Sequence, residues 1–437
     1  YKIFDLRSAA YGLNYKQDPS EQPEYNYKTL HSIFSKEKYY SDKKGEEARL
    51  LRWKNKTAGD TAKPPLVIIS VSGGGSRSAY WTFHALQYLD SITNGRLFKN
   101  TVLITGASGG MIGAAYWRSV HDAYSRGILK DRYNPRYQNN MGKDLLNSII
   151  FSLVSVDLVS PFNGITLAGY SYSRDRGYAM EQEMIRNTEG MFDKNLGYFK
   201  EREASGTIPM LLINGTIVND GRKLLVASQP VSYLTQPEFS IGETAPIIDA
   251  VDFSSFYSGQ NPYNLRLTSA LRMNATFPFI LPVVKLPSRP RMNIMDAGLS
   301  DNFGIDLSSR YLFALRDWIK ANTSDAILLQ IRDTRENDVS SSSDESSLAN
   351  MITDPVFVIQ NKWEALQSYA QDYLKDFSKS SDIGNLHFVT LQYVPKQSKK
   401  VAALNFHITQ KEKEDLFMSV YNQENKAAID TLVKYIR

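Results

Sequence analysis

Short apolar runs alternate with helical-period stretches along the 437-residue chain. The runs Leu66 to Ser72, Thr101 to Thr105, Met210 to Asn214, Ala326 to Ile331 and Leu386 to Tyr393 predict strands, and Arg291 to Met295 adds a shorter strand-like stretch. After the first run, Ala79, Phe83, Leu86 and Leu89 recur at three- and four-residue spacing and predict a helix. After the second run, a helix is expected from Met111 to about Tyr124. This βαβα order predicts an α/β fold with parallel strands joined by crossovers, and a site at their carboxyl ends.

Polar composition marks off the first 60 residues, which are rich in tyrosine and lysine and densest at Ser35 to Lys44. They read as an N-terminal extension that wraps the main domain or leads in from a segment outside the chain. Residues 61–437 read as one domain, because the chemical motifs between positions 73 and 298 have to converge. A serine-rich acidic tract, Asp338 to Ser347, predicts a mobile loop at 335–350. Beyond it, Val356, Ile359, Trp363, Leu366, Tyr369 and Tyr373 approximate one helical face, expected to be core rather than a lid. No uninterrupted apolar stretch reaches the roughly 18 residues of a membrane span. The chain begins at Tyr1, so the compartment stays open and a removed targeting or anchor segment is compatible with it.

The chemistry gathers at two glycine clusters, each directly after an apolar run: Ser72-Gly-Gly-Gly-Ser-Arg77 and Gly106-Ala-Ser108-Gly-Gly110. Acyl transfer through a tetrahedral intermediate needs an activated hydroxyl on one side of a carbonyl and preorganised N–H donors where the oxygen becomes negative. Ser108 on a sharp strand-to-helix turn supplies the first, and the amides of Gly73, Gly74 and Gly75 at a helix start supply the second. Two ordinary βα turns with close-packed glycines are the plain alternative. A dinucleotide fingerprint is rejected, since Ser78 stands where its third glycine belongs. With no cysteine, five histidines and no His-Glu-x-x-His pair, a metal site is improbable. The net charge of +5 is too small to argue for nucleic acid.

Asp296, in Asp296-Ala-Gly298-Leu-Ser-Asp-Asn302, is the leading proton acceptor, provided that burial raises its proton affinity. The three segments in this order resemble the patatin-like phospholipases, and the Asp-x-Gly-Leu form is similar to the catalytic domain of the cytosolic calcium-dependent phospholipases. Leu271 to Pro282 and Leu404 to Thr409 add to the resemblance, which runs over roughly residues 64 to 420. It implies a central, mostly parallel sheet flanked by helices, and a Ser108/Asp296 dyad that works without histidine. It further implies an oxyanion hole from Gly74, Gly75 and Gly109, with Arg77 beside that hole, where it either attracts a phosphate head group or caps the helix region. Ala297 departs from the usual glycine and puts a required positive φ at that position in doubt.

The implied activity is lipid acyl hydrolysis of phospholipase or lysophospholipase type through an acyl-serine, with no metal or organic cofactor. The implied partners are a phospholipid or other acyl ester and a peripheral membrane surface. An acyltransferase using the same dyad and a noncatalytic lipid-binding protein are the competing readings. An α/β-hydrolase triad with His387 or His407 is the mechanistic rival, although the spacing of the glycine clusters argues against it. Phe277, Phe279, Ile280 and Leu281 read equally as acyl pocket or core. Asn55, Asn214, Asn274 and Asn322 begin N-x-Ser/Thr triplets to which the sequence assigns no role.

Overall fold

Each of the five longer apolar runs forms a strand. The computed structural model describes residues 8–16, 18–59, 62–145, 164–276, 281–335, 367, 370, 374–376, 382–396 and 407–436. The strands are β1 (Leu66–Val71), β2 (Thr101–Gly106), β3 (Gly164–Leu167), β4 (Tyr170–Ser173), β5 (Met210–Ile217) and β6 (Lys223–Val226), followed by β7 (Ala250–Asp252), β8 (Val284–Leu286), β9 (Met292–Met295), β10 (Ala326–Arg332) and β11 (Leu386–Gln392). Among the described residues the main sheet runs in the order β11-β10-β1-β2-β5-β6-β7, and the β8–β9 hairpin pairs with β5 through β9. From β11 to β5 every neighbour is parallel. Antiparallel pairing begins at β5, with β6 and β9. β3 and β4 form a separate hairpin.

Strands covered on both faces have no polar side to alternate with, which is why they appear in the sequence as continuous apolar runs. On one face, Val67, Ile69, Val71 and Ile104 pack with Phe83, Leu86 and Leu89 of α2 (Gly75–Ile92) and Met111 and Trp117 of α3 (Ser108–Ser125). On the other, Leu66, Ile68 and Leu103 pack with Leu50 and Trp53 of α1 (Lys36–Ala58) and with Leu307 and Tyr311 of α5 (Ile305–Ala314). The result is a mixed α/β fold with a central, mostly parallel sheet between helical layers. The polar N-terminal stretch therefore contains a 23-residue helix built into the second layer. Ser35 caps that helix, and Trp53 Nε1 donates to the Lys99 carbonyl at 2.9 Å.

From β1 the chain steps to β2 and β5 on one side, whereas β10 and β11 lie on the other. The reversal between β1 and β10 opens a crevice at their carboxyl ends, the usual ligand position in open α/β sheets. Thr409 and Glu412 form a capping box, with both reciprocal bonds present. Residues 336–350 of the expected loop, the stripe positions Val356 to Tyr373, and Phe277, Phe279 and Ile280 lie outside the described residues, whereas Leu281 is buried. No helix among the described residues is long and apolar enough to cross a membrane.

Candidate active site

β2 ends at Gly106, Ala107 is extended, and Ser108 opens α3 at φ 51°. That left-handed conformation is uncommon for a residue with a side chain. It turns the chain abruptly from strand to helix and sets Ser108 at the positive end of α3, above the carboxyl edge of the sheet. Glycine is needed next to it for close approach rather than for rotation: a Cβ on Gly109 would overlap the Gly75 carbonyl oxygen, and one on Gly110 the Ser72 carbonyl oxygen. The two glycine clusters are thus in direct backbone contact. Gly109→Ala is expected to force the α2 and α3 starts apart, costing about 1–3 kcal/mol of stability. Thermal unfolding measures that cost, and an unchanged melting temperature would show that the contact relaxes freely.

In the loop after β1, the Gly73 amide donates to the Asn302 carbonyl at 2.9 Å. This corrects the expectation that Gly73 contributes an oxyanion donor, because its N–H is already committed. Gly74, at φ 136°, precedes the first turn of α2, Gly75 begins that turn, and Gly109 lies in the first turn of α3. Amides at helix starts have no carbonyl four residues earlier to receive them. Arg77 is buried and ion-paired with Asp333, just past β10. Asp333 is fixed in turn by Ser72, whose hydroxyl donates to Oδ1 at 2.9 Å and accepts the Asp333 N–H at 2.8 Å. A phosphate approaching Arg77 would have to share it with this carboxylate. Sequence reasoning missed Asp333, although a residue just beyond a predicted parallel strand lies by construction on the carboxyl edge.

Asp296 follows β9. Its N–H donates to the Thr276 carbonyl at 3.2 Å, the Ala297 N–H donates to the Asn274 carbonyl at 3.1 Å, and Thr216 Oγ1 donates to the Asp296 carbonyl at 2.9 Å. Ala297 has φ −63°, so no glycine is required there. The Asp296 carboxyl is buried: Oδ1 accepts the Gly298 N–H at 2.7 Å, and Oδ2 makes no normal hydrogen bond among the described residues. Burial pushes its pKa up to about 6, against the opposing pull of the Gly298 amide and the Ser108 hydroxyl. Ser108 therefore faces the carboxyl closely enough for its hydroxyl to lower the Asp296 pKa. Asn302, also not assigned from sequence, lies between the loops: a Cβ on Gly73 or on Gly298 would press on its Oδ1.

The two histidines of the rival triad lie elsewhere. His387, near the start of β11, bonds Asp325 at 2.9 Å and stacks on Tyr435, at the sheet edge opposite Ser108. His407 bonds Asp144 at 2.9 Å. Among the described residues no group of three metal-ligating side chains occurs.

The fold and its crevice thus define an α/β protein with a serine and a buried carboxylate gathered at the carboxyl ends of parallel strands. The model of the patatin-like phospholipase family matches residues 69–308, more than half of the chain, and the chain belongs to that family. Membership places its chemistry among the lipid acyl hydrolases. No curated protein matches the sequence. Among solved structures, VipD from Legionella pneumophila is 10% identical with a TM-score of 0.32, over 86% of this chain and 72% of that one. Human GIVD cytosolic phospholipase A2, in complex with methyl gamma-linolenyl fluorophosphonate, is 16% identical with a TM-score of 0.39, over 91% of this chain and 64% of that one.

Proposed function

We propose that this chain cleaves carboxylic esters of glycerophospholipids or lysophospholipids through an acyl-Ser108 intermediate, with Asp296 as the general base. The observation that carries this reading is the buried Asp296 carboxyl, held through Oδ1 by the Gly298 amide and close enough to Ser108 for that hydroxyl to lower its pKa. A carboxylate with its pKa near 6 takes a serine proton more readily than one near 4, yet is ionised at neutral pH. As Ser108 Oγ attacks the ester carbonyl, its proton passes to Asp296. The carbonyl oxygen becomes an oxyanion facing the Gly74, Gly75 and Gly109 amides, and the alcohol leaves with the proton returned by Asp296. Water then attacks the acyl-serine with Asp296 again taking the proton, which releases the fatty acid and restores Ser108.

Arg77, beside the same loop, is the proposed contact for a phosphate head group and would divide its donors between that group and Asp333. Residues 61–437 form the proposed catalytic unit, wrapped by residues 1–60. A peripheral membrane surface is the proposed source of substrate.

Labelling with an alkyl fluorophosphonate, mapped by peptide mass spectrometry, tests the assignment. Adduct should fall on the Ser108 peptide, and its rate should rise with pH through about 6 as Asp296 loses its proton, then level off. Adduct on another serine, or none on folded protein, overturns it.

A further inference from the structure

We infer that Asn274 is a positioning residue which fixes the nucleophile and the base relative to one another, a reading that rests on the Ser108/Asp296 assignment above. Asn274 is the last residue of α4 (Leu267–Asn274) and is wholly buried. Its side-chain Nδ2 donates to the Gly106 carbonyl at 2.9 Å and to the Asn214 carbonyl at 2.9 Å, with Asn214 Oδ1 at 3.2 Å. Gly106 lies two residues before Ser108, and Asn214 is on β5. The backbone carbonyl of the same residue accepts the Ala297 N–H at 3.1 Å, and two residues on, the Thr276 carbonyl accepts the Asp296 N–H at 3.2 Å. One residue thus grips the nucleophile turn with its side chain and the base loop with its main chain.

The chemistry at this point selects asparagine. Two carbonyl oxygens converge on one atom, so that atom must carry two protons. A hydroxyl can donate to only one of them at a time. A carboxylate would face both oxygens with negative charge, and an amide turned by 180° would present its own oxygen to them. The orientation is therefore fixed by the acceptors.

Asn214 and Asn274 both begin N-x-Ser/Thr triplets, and their burial makes neither an exposed acceptor. The pair instead joins the end of β2 and the middle of β5 to α4, two residues before β5 begins to pair with β9.

The test measures the second-order rate of Ser108 labelling by an alkyl fluorophosphonate, per folded molecule, from pH 5 to 8, in wild type, Asn274→Ser and Asn274→Asp. A misplacement of about 1 Å is worth on the order of 10²-fold in rate. A loss of that order is expected in Asn274→Ser, and a larger one in Asn274→Asp. The acid limb should also move to higher pH in Asn274→Ser, because a displaced Ser108 hydroxyl no longer lowers the Asp296 pKa. A merely structural side chain would lower the melting temperature while leaving both the rate per folded molecule and the acid limb unchanged, and that result overturns the inference. Asn274→Ser brings no charge into the core and decides the case in which Asn274→Asp does not fold. Wild-type protein that takes no label on Ser108 would instead sink the dyad assignment, so the two failures are distinguishable.

Discussion

Ser108→Ala is expected to lower ester turnover by roughly 10⁵- to 10⁶-fold, the scale on which removing a nucleophile from a hydrolytic site acts. Stability should change little. Alanine keeps the Cβ that already tolerates φ 51° in this turn. The amides proposed to face the oxyanion stay in place, so lipid binding should survive while bond cleavage does not. Turnover of a radiolabelled phospholipid, vesicle co-sedimentation and thermal unfolding of the same preparation separate these effects. Turnover that persists in the variant would mean that another group attacks the carbonyl. The two competing readings give different results in the same experiment: a lipid-binding protein is inert in both forms, and an acyltransferase forms new ester when an alcohol acceptor is supplied.

The parts of this site that could be read in the sequence are those whose physics is local. Buried parallel strands are continuous apolar runs, and the glycines of both clusters sit directly after two of them, which fixes their place on the carboxyl edge before any contact is known. The strands β6 and β7 went unseen because they are four and three residues long, too short for either period to show. The helix α1 was hidden differently. Its buried Tyr39, Leu50 and Trp53 are widely spaced among lysines and glutamates, and Glu46 and Arg49 are buried as a pair that composition counts as surface. Which side chains meet across distant segments could not be read. Nothing near Arg77 points to Asp333, 256 residues later, and nothing in three consecutive glycines says which amide turns toward Asn302. The base role proposed for Asp296 requires burial, a condition the sequence could state but not demonstrate; the fold buries the carboxyl by packing the loop against α4 and β5.

Asp296→Asn should cost about 10⁴-fold or more in turnover, since the serine then has no group to receive its proton. The same change should make the protein more stable at high pH, and here the sign can be worked out. Asp296 has a folded pKa of about 6 against an ordinary value of 3.8, so the folded state holds its proton more tightly than the unfolded chain does. The stabilising contribution of that proton is complete below pH 3.8 and is lost as the pH rises through 6. Above pH 6 the buried carboxylate therefore opposes folding, by about 3 kcal/mol. Asparagine carries no charge at any pH; its oxygen can keep the Gly298 amide, and its NH₂ can donate to Ser108. The variant should consequently melt higher than wild type at pH 8 and lose that advantage as the pH falls toward 4. Calorimetry across this range reads the difference directly. A gap that does not change with pH would show that Asp296 titrates like an exposed carboxylate, and the base would then have to be sought elsewhere. The expected pattern, activity lost and stability gained, is what a charge buried for chemistry rather than for folding produces.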